Sequence, residues 1–318
     1  LNKTLSSQTK TPMVGLTVAL STGLFAPHVL VPPTPGPLAA AANLNLENLI
    51  LLIGVGGSIA FILIFVGGWY GNYLIKKNKY RESNESLKNS PSEKIFGLPS
   101  FSKAILPILV PIGLMCLGTL LKIVPSFIGL EYLIVLTKPT TALGIGMLFA
   151  FRLLFKQPQK NISKAIKKGL KQAIPILAIT GMGGALGSVI QTIPLQDYAL
   201  KISTFSGFGI LIPFMIAALL KTAQGSSTVA IITTSSIIFP LLSVLGLDSE
   251  MGKVWAIMAL GVGSMTVSHA NDSYFWIVSQ MSGMDVKTAY RTHTVGTLLQ
   301  GIVGLVVVFI GFTIWTAM

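Results

Sequence analysis

The chain has almost no cysteine, little histidine and few charges. A single cysteine, Cys116, in 318 residues excludes an internal disulfide framework and a cysteine-based metal cluster. Three histidines without an HExxH pattern leave no zinc site to argue for. Charged residues make up 10% of the chain, whereas soluble domains run near about 25%. That deficit excludes an ordinary water-soluble enzyme. Instead, 52% of the residues are hydrophobic and the mean hydropathy is +0.74. Several apolar runs approach the roughly 20 residues needed to cross a bilayer's hydrocarbon. The chain reads as an all-α polytopic membrane protein.

Acidic residues are also scarce, which leaves a net charge of +13. Its distribution decides its meaning. The stretch 76–103 carries Lys76, Lys77, Lys79, Arg81, Lys88, Lys94 and Lys103, and 156–171 carries Lys156, Lys160, Lys164, Lys167, Lys168 and Lys171. Together they hold thirteen of the 23 basic residues. The positive-inside rule places both in the cytoplasm, so the charge reads as topology and not as a nucleic-acid surface.

From those anchors, residues 14–31 run outward and 48–75 return, 104–121 run outward and 137–155 return, and 172–192 run outward again. The connections 37–47, 122–136 and 192–206 are poor in Lys and Arg, as external loops should be. Ile162, Ala165, Ile166 and Leu170 oppose the lysines of 156–171, which predicts an interfacial amphipathic helix there. Gly181, Gly183, Gly184 and Gly187 read as a close-packing face. The apolar stretch 207–245 is interrupted by Lys221 to Thr228, and parity predicts a re-entrant hairpin with its tip at Gln224-Gly225-Ser226. A broken helix over 254–280 follows, interrupted at Ser268 to Ser273. A cytoplasmic loop with Asp285, Lys287 and Arg291 then leads to a last span, 292–315.

The broken helix 14–36 with span 48–75 matches the broken helix 254–280 with span 292–315, and the two start on opposite sides, as an inverted repeat requires. On this division 1–75 ends a first repeat, 76–103 is a basic linker and 104–318 is the second repeat. The first is shorter by roughly 130 residues if the repeats are of similar length. With Leu1 at the start, the expectation is the C-terminal part of a larger, N-terminally truncated transporter.

Irregular backbone at membrane depth is tolerated only where it is buried in protein or lines a polar cavity. Pro32-Pro33-Thr34-Pro35-Gly36-Pro37 cannot continue a helix, because its prolines withhold amides and fix φ. Thr233 to Ser236 read as hydroxyls bonding back to their own helix. Gln224-Gly225-Ser226-Ser227-Thr228 differs: glycine permits an unwound turn, and a new helix starts with serine at its cap. The free amides and positive dipole end of that helix suit a carboxylate. Ser268-His269-Ala270-Asn271-Asp272 holds the only aspartate within an apolar span, at a cost of about 2.5–3.5 kcal/mol on insertion scales. Asp272 and His269 are candidates to exchange a proton, or alternatively a structural pair joining two helices. His28 divides evenly between helix glue and function. Arg152 and Lys221 read as snorkelling cations, with Lys221 the better placed to attract an anion.

At three of these motifs the chain resembles the gluconate permease family, gluconate:proton symporters of the ion transporter superfamily. The matching residues are His28 through Pro37, Ala223-Gln224-Gly225-Ser226-Ser227-Thr228-Val229-Ala230, and Ser268-His269-Ala270-Asn271-Asp272 with Phe275-Trp276. The resemblance implies proton-driven uptake of gluconate or a related sugar acid or hydroxy acid. It also implies an inverted-repeat, elevator-like fold with re-entrant hairpins and broken helices. Two departures stand beside the expected carboxylate site: Lys221 in place of arginine and Ser227 in place of alanine. They leave glycerate, other aldonates and D-serine open as substrates.

The sequence therefore predicts a secondary transporter and not an enzyme. Thr34, Gly36, Gln224, Gly225, Ser226, Ser227, Thr228 and Asn271 are the expected substrate residues, and His269, Asp272 and His28 the proton-coupling ones. No metal and no cofactor is expected beyond the coupling ion, with Na⁺ open beside H⁺ because unwound carbonyls bind it too. The expected partners are a small organic anion and the lipid bilayer, with no nucleic acid and with a homodimer allowed. The expected location is the inner membrane of a bacterium, crossed several times. Among other classes, a channel shares the broken helices. A membrane-embedded serine enzyme would need Ser264 or Ser268 with His269 and Asp272, yet adjacent helical residues point about 100° apart.

Overall fold

The computed structural model describes residues 11–77, 100–123, 135–155 and 209–317, with scattered positions between 163 and 178. All regular structure among the described residues is helical. Of the expected interfacial helix, positions 163 and 166–171 are described and helical. The rest of it, most of span 172–192, the Gly181–Gly187 cluster, connection 192–206, most of connection 122–136 and most of the basic linker lie outside the described residues.

Two helices open the chain: α1, Met13–Leu30, and α2, Pro35–Asn43. Between them Val31 is extended and Pro32 and Pro33 offer no amide, so the α1 ladder ends. Helix resumes because Pro35 presets φ at a first-turn position where no amide is needed, and four alanines, 39–42, propagate it. Residues 37–47, expected as an external loop, are thus corrected: most of them complete the second half of a broken helix.

The chain continues as α3, Leu49–Lys76; α4, Phe101–Ile123; α5, Pro139–Phe155; α6, Leu211–Gln224; and α7, Ser227–Ile238. After a 3-10 turn, Phe239–Leu241, come α8, Glu250–Met265; α9, Ser273–Ser282; the short α10, Val286–Ala289; a π turn, Tyr290–Thr294; and α11, Val295–Ala317. The loop expected around Asp285 is another correction. The Thr288 amide donates to Asp285 Oδ1 at 3.2 Å, which caps α10 and turns the approach to α11 helical. Among the described residues, three segments are long and apolar enough to cross a membrane: Met13–Asn43, Leu49–Lys76 and Val286–Ala317. Along α11, Ile302, Val306, Ile310 and Ile314 repeat every fourth residue and are each more than half exposed, as a lipid-facing stripe requires.

The described residues fall into two compact units. The smaller holds α4 and α5, packed where Gly146 approaches the Pro111 ring and the Pro107 carbonyl. The larger holds α1, α2, most of α3 and α6 to α11. Its centre is α8, buried from Val254 through Met265 and packed on α1, α2, α6, α7 and α11. A helix apolar on all sides belongs in an interior. Small residues bring the backbones close, as in membrane bundles. A Cβ at Gly261 would meet the Val29 carbonyl at 2.7 Å, and α1 and α3 approach through Gly15 and Gly71.

That α1–α3 contact is testable. A Cβ at Gly71 would overlap Ala19 and lie 2.8 Å from the Gly15 carbonyl, whereas at Gly68 it would meet nothing within 4 Å. Gly71→Val is expected to destabilise by about 1–3 kcal/mol and to lower the thermal midpoint in detergent, with Gly68→Val unchanged. Equal midpoints would contradict the packing.

Candidate functional site

The turn from α6 to α7 is built by two residues. Gly225 has φ 77°, and any side chain there would run into the Asn271 carbonyl. Ser226 is extended, and its Oγ accepts from Val229 N at 3.3 Å, capping α7. The amides of Ser227 and Thr228 lie in the first turn of α7, where no carbonyl of the helix reaches them. They face outward from the positive end of its dipole.

The second break, residues 266–272, is irregular but paired. Ser268 N donates to Thr297 Oγ1 at 3.0 Å, and Thr294 Oγ1 donates to Ser268 O at 2.6 Å. Ala270 N donates to Tyr290 Oη at 3.3 Å, and Trp276 Nε1 donates to Ala270 O at 2.7 Å. Side chains of α9, the π turn and α11 thus satisfy backbone groups that the interrupted helix leaves without partners. Val267 sits at φ 34°, a left-handed conformation that a β-branched residue keeps only when its neighbours are held.

A buried ion pair joins the two breaks. Lys221 Nζ lies 2.5 Å from Asp272 Oδ2, with Lys221 1% and Asp272 5% exposed. Lys221 also donates to Gly225 O at 3.2 Å. Asp272 accepts from Ser268 Oγ at 2.6 Å and, through Oδ1, from Tyr274 N at 2.9 Å, so that it caps α9. The cation stands in the last turn of α6 and the anion at the start of α9, each at the helix end that favours its sign. The expectation that Lys221 snorkels is corrected: a carboxylate 51 residues along the chain holds it inside.

His269, a candidate to exchange a proton with Asp272, bonds the end of α6. His269 Nε2 is 3.0 Å from Thr222 O, and Asn271 Nδ2 donates to that same carbonyl at 2.7 Å. Both side chains cap the carbonyl end of α6, which at a helix terminus has no partner of its own.

A cavity of about 370 Å³ opens beside the ion pair. It is lined by Leu24, Phe25 and His28 of α1, by residues 225–228, and by Asp272, Ser273 and Tyr274. The structure thus brings together His28, Gly225, Ser226, Ser227, Thr228 and Asp272. Gln224, His269 and Asn271 are not among the lining residues. Thr34 stays at the other break, its hydroxyl donating to Val31 O at 2.5 Å. Gly36 packs α2 against Ile231 of α7. The hydroxyls of Ser235 and Ser236 accept from Asn43 Nδ2 at 2.9 and 3.1 Å and donate back to Ile232 O, joining the same helices. Arg152 is exposed on α5.

His293 is a functional candidate that no sequence motif marks. It is fully buried, with Nε2 3.3 Å from Ser268 Oγ and Nδ1 3.3 Å from Ser21 Oγ. An ionisable residue two positions before an apolar helix was the available signal. Ser268, His293 and Asp272 do not form a hydrolytic triad, because the carboxylate bonds the serine and not the imidazole.

The model of the GntP family permeases matches residues 1–314 of this chain. The chain belongs to that family. Among relatives of this GntP-family chain, a permease of Haemophilus influenzae of uncharacterised activity is 33% identical over 326 residues, covering 96% of this chain and 66% of that protein. A gluconate permease of Bacillus subtilis is 25% identical, covering 95% of this chain and 69% of its own length. The D-serine transporter DsdX of Escherichia coli is 25% identical, with 96% and 69% covered. The chain thus spans about two thirds of the length of the curated relatives it matches. No solved structure matches it.

The ion pair makes a quantitative prediction. Removing one partner of a buried pair strands the other, at about 3–5 kcal/mol. Lys221→Met and Asp272→Asn should each lower thermal stability by that order, and the double variant by clearly less than their sum. Additive losses in a double-mutant cycle would contradict direct pairing.

Proposed function

We propose that this permease is a secondary active transporter that imports gluconate or a related small sugar acid or hydroxy acid together with a proton, as a multi-pass protein of a bacterial inner membrane. The cavity between α1, the start of α7 and Asp272 carries this reading. Its volume lies within the range of small-molecule sites. A carboxylate at the Ser227 and Thr228 amides meets the positive end of α7, where anions bind. Gly225 allows close approach, and the Ser226, Ser227 and Thr228 hydroxyls face a polyol chain. A proton entering with a monoanion cancels the charge that has to cross a low-dielectric barrier. Asp272 and His28 are the cavity's titratable groups suited to carry it.

The fold reading that goes with this is an inverted repeat moving as an elevator. Its support is that two broken helices, α1–α2 and α8–α9, pack closely where Gly261 of α8 meets Val29 of α1. Gln224, His269 and Asn271 flank the hairpin tip, and Thr34 and Gly36 flank the α1–α2 break. On this reading they reach substrate when the hairpin shifts.

A second reading, import of D-serine, is favoured by Asp272 in the cavity wall. A zwitterionic hydroxy amino acid would set its ammonium toward that carboxylate and its own carboxylate toward α7. One relative, DsdX, is named for that substrate.

The test is uptake of labelled gluconate by proteoliposomes holding the full-length protein, with an inward proton gradient. Accumulation that a protonophore collapses, and that unlabelled gluconate competes away better than D-serine, is the expected result. Accumulation driven by Na⁺ alone, or no gluconate uptake with strong D-serine uptake, would overturn the first reading.

A further inference from the structure

The hydrogen-bond directions around His293 point to a role that the cavity-lining residues do not cover. Ser21 Oγ donates its proton to Val18 O at 3.1 Å. Ser268 Oγ donates its proton to Asp272 Oδ2 at 2.6 Å. A carboxylate only accepts, so Ser268 spends its one proton on Asp272 and toward His293 it accepts. His293 Nδ1 faces Ser21 Oγ and Nε2 faces Ser268 Oγ, both at 3.3 Å. Nε2 therefore carries a proton in the resting ring, and Nδ1 takes a second where Ser21 Oγ keeps its own proton on Val18 O. The ring is fully buried, so these hydroxyls are its polar surroundings.

We infer that His293 is a proton site of the permease, linked through Ser268 to Asp272 in the cavity wall. The inference rests on the proton-coupled reading above. The transfer balances. Nε2 of the imidazolium gives its proton to Ser268 Oγ as Ser268 gives its own to Asp272 Oδ2. The imidazolium and the carboxylate become a neutral imidazole and a neutral carboxylic acid. Lys221 then keeps its charge without a counter-ion beside the cavity, and a substrate carboxylate offsets it. Proton arrival at Asp272 and anion binding thereby favour one another, as coupling requires.

The charged and titratable groups around the ring are few. Asp272 is reached through Ser268, and Lys221 lies beyond Asp272 on α6. Tyr274 of α9 stands edge-on, its ring centroid 5.5 Å from the imidazole, with its hydroxyl donating to Ser21 O. Tyr290 and Arg291 precede it on the π turn itself. From α1 the ring meets Ser21, and His28 lies a further two turns along that helix. The π turn sets the imidazole in register with Ser268. Such turns, where an extra residue is inserted in a helix, recur at functional sites.

The experiment uses the full-length protein in proteoliposomes and three readouts: accumulation driven by a proton gradient, counterflow exchange at equal pH, and the pH profile of uptake. His293→Gln, which keeps a polar group but does not titrate, is expected to reduce accumulation to passive equilibration. It should continue exchange, and its pH profile should be flattened. Ser268→Ala, which removes only the bridging hydroxyl, is expected to do the same. Wild-type accumulation in His293→Gln, or loss of its exchange along with accumulation, would overturn the assignment and leave the histidine a structural group. Intact coupling in Ser268→Ala would overturn the route. A wild-type protein whose accumulation ignores the protonophore would remove the proton-coupled reading itself, a result distinct from the others.

Discussion

A lysine and an aspartate with almost no solvent can stand side by side only when their remaining hydrogen-bonding capacity is met, and the larger unit is arranged around meeting that condition at Lys221 and Asp272. The lysine takes the Gly225 carbonyl as its second partner, which fixes the tip between α6 and α7. The aspartate takes the Tyr274 amide and the Ser268 hydroxyl, which fix the start of α9 and the irregular segment before it. Ser268 is in turn held by Thr294 and Thr297, so that α11 is tied into the same constraint. Val267, in its left-handed conformation, is a local strain that this network sustains.

The arrangement places fixed partial and full charges around one cavity without exposing them widely. Residues 225–228 at the start of α7 line it, the Asp272 carboxylate forms part of its wall, and the Lys221 ammonium is paired to that carboxylate. If the proposed substrate binds here, charge governs selection before shape does, because stranding a buried charge is more costly than leaving a hydroxyl without its best partner. On the proton-coupled reading proposed above, protonation and anion binding are parts of one electrostatic balance.

Composition alone carried the fold class: a chain this apolar and this poor in charge has to be helical or a closed barrel if it crosses a bilayer, and the apolar runs were of helical length. The family was legible as well, because its resemblance lay in three motifs kept in order. Local backbone chemistry explains Gly225 and Ser226, since a left-handed turn and a serine cap are written in adjacent residues. Long-range pairing was not legible. Lys221 looked like a snorkelling cation because its partner lies 51 residues away, and His269 looked like the partner of Asp272 because it lies three positions before it. The structure gives His269 to Thr222 and leaves His293, 25 residues from Ser268, at the buried serine. Proximity in sequence misled wherever a backbone carbonyl at a helix end was competing for the same side chain. The alanine run after Pro35 is uncharged, as a loop can be, yet its residues are strong helix formers and they form α2.

Lys221 and Asp272 form a direct ion pair between the α6–α7 turn and the start of α9. Solid-state NMR on the full-length protein in lipid bilayers, with ¹⁵N at lysine Nζ and ¹³C at aspartate Cγ, tests it most directly. A through-space contact between Lys221 Nζ and Asp272 Cγ, absent in Asp272→Asn or shifted with it, is the result this account predicts. A Lys221 ammonium with no carboxylate carbon in contact range would contradict it.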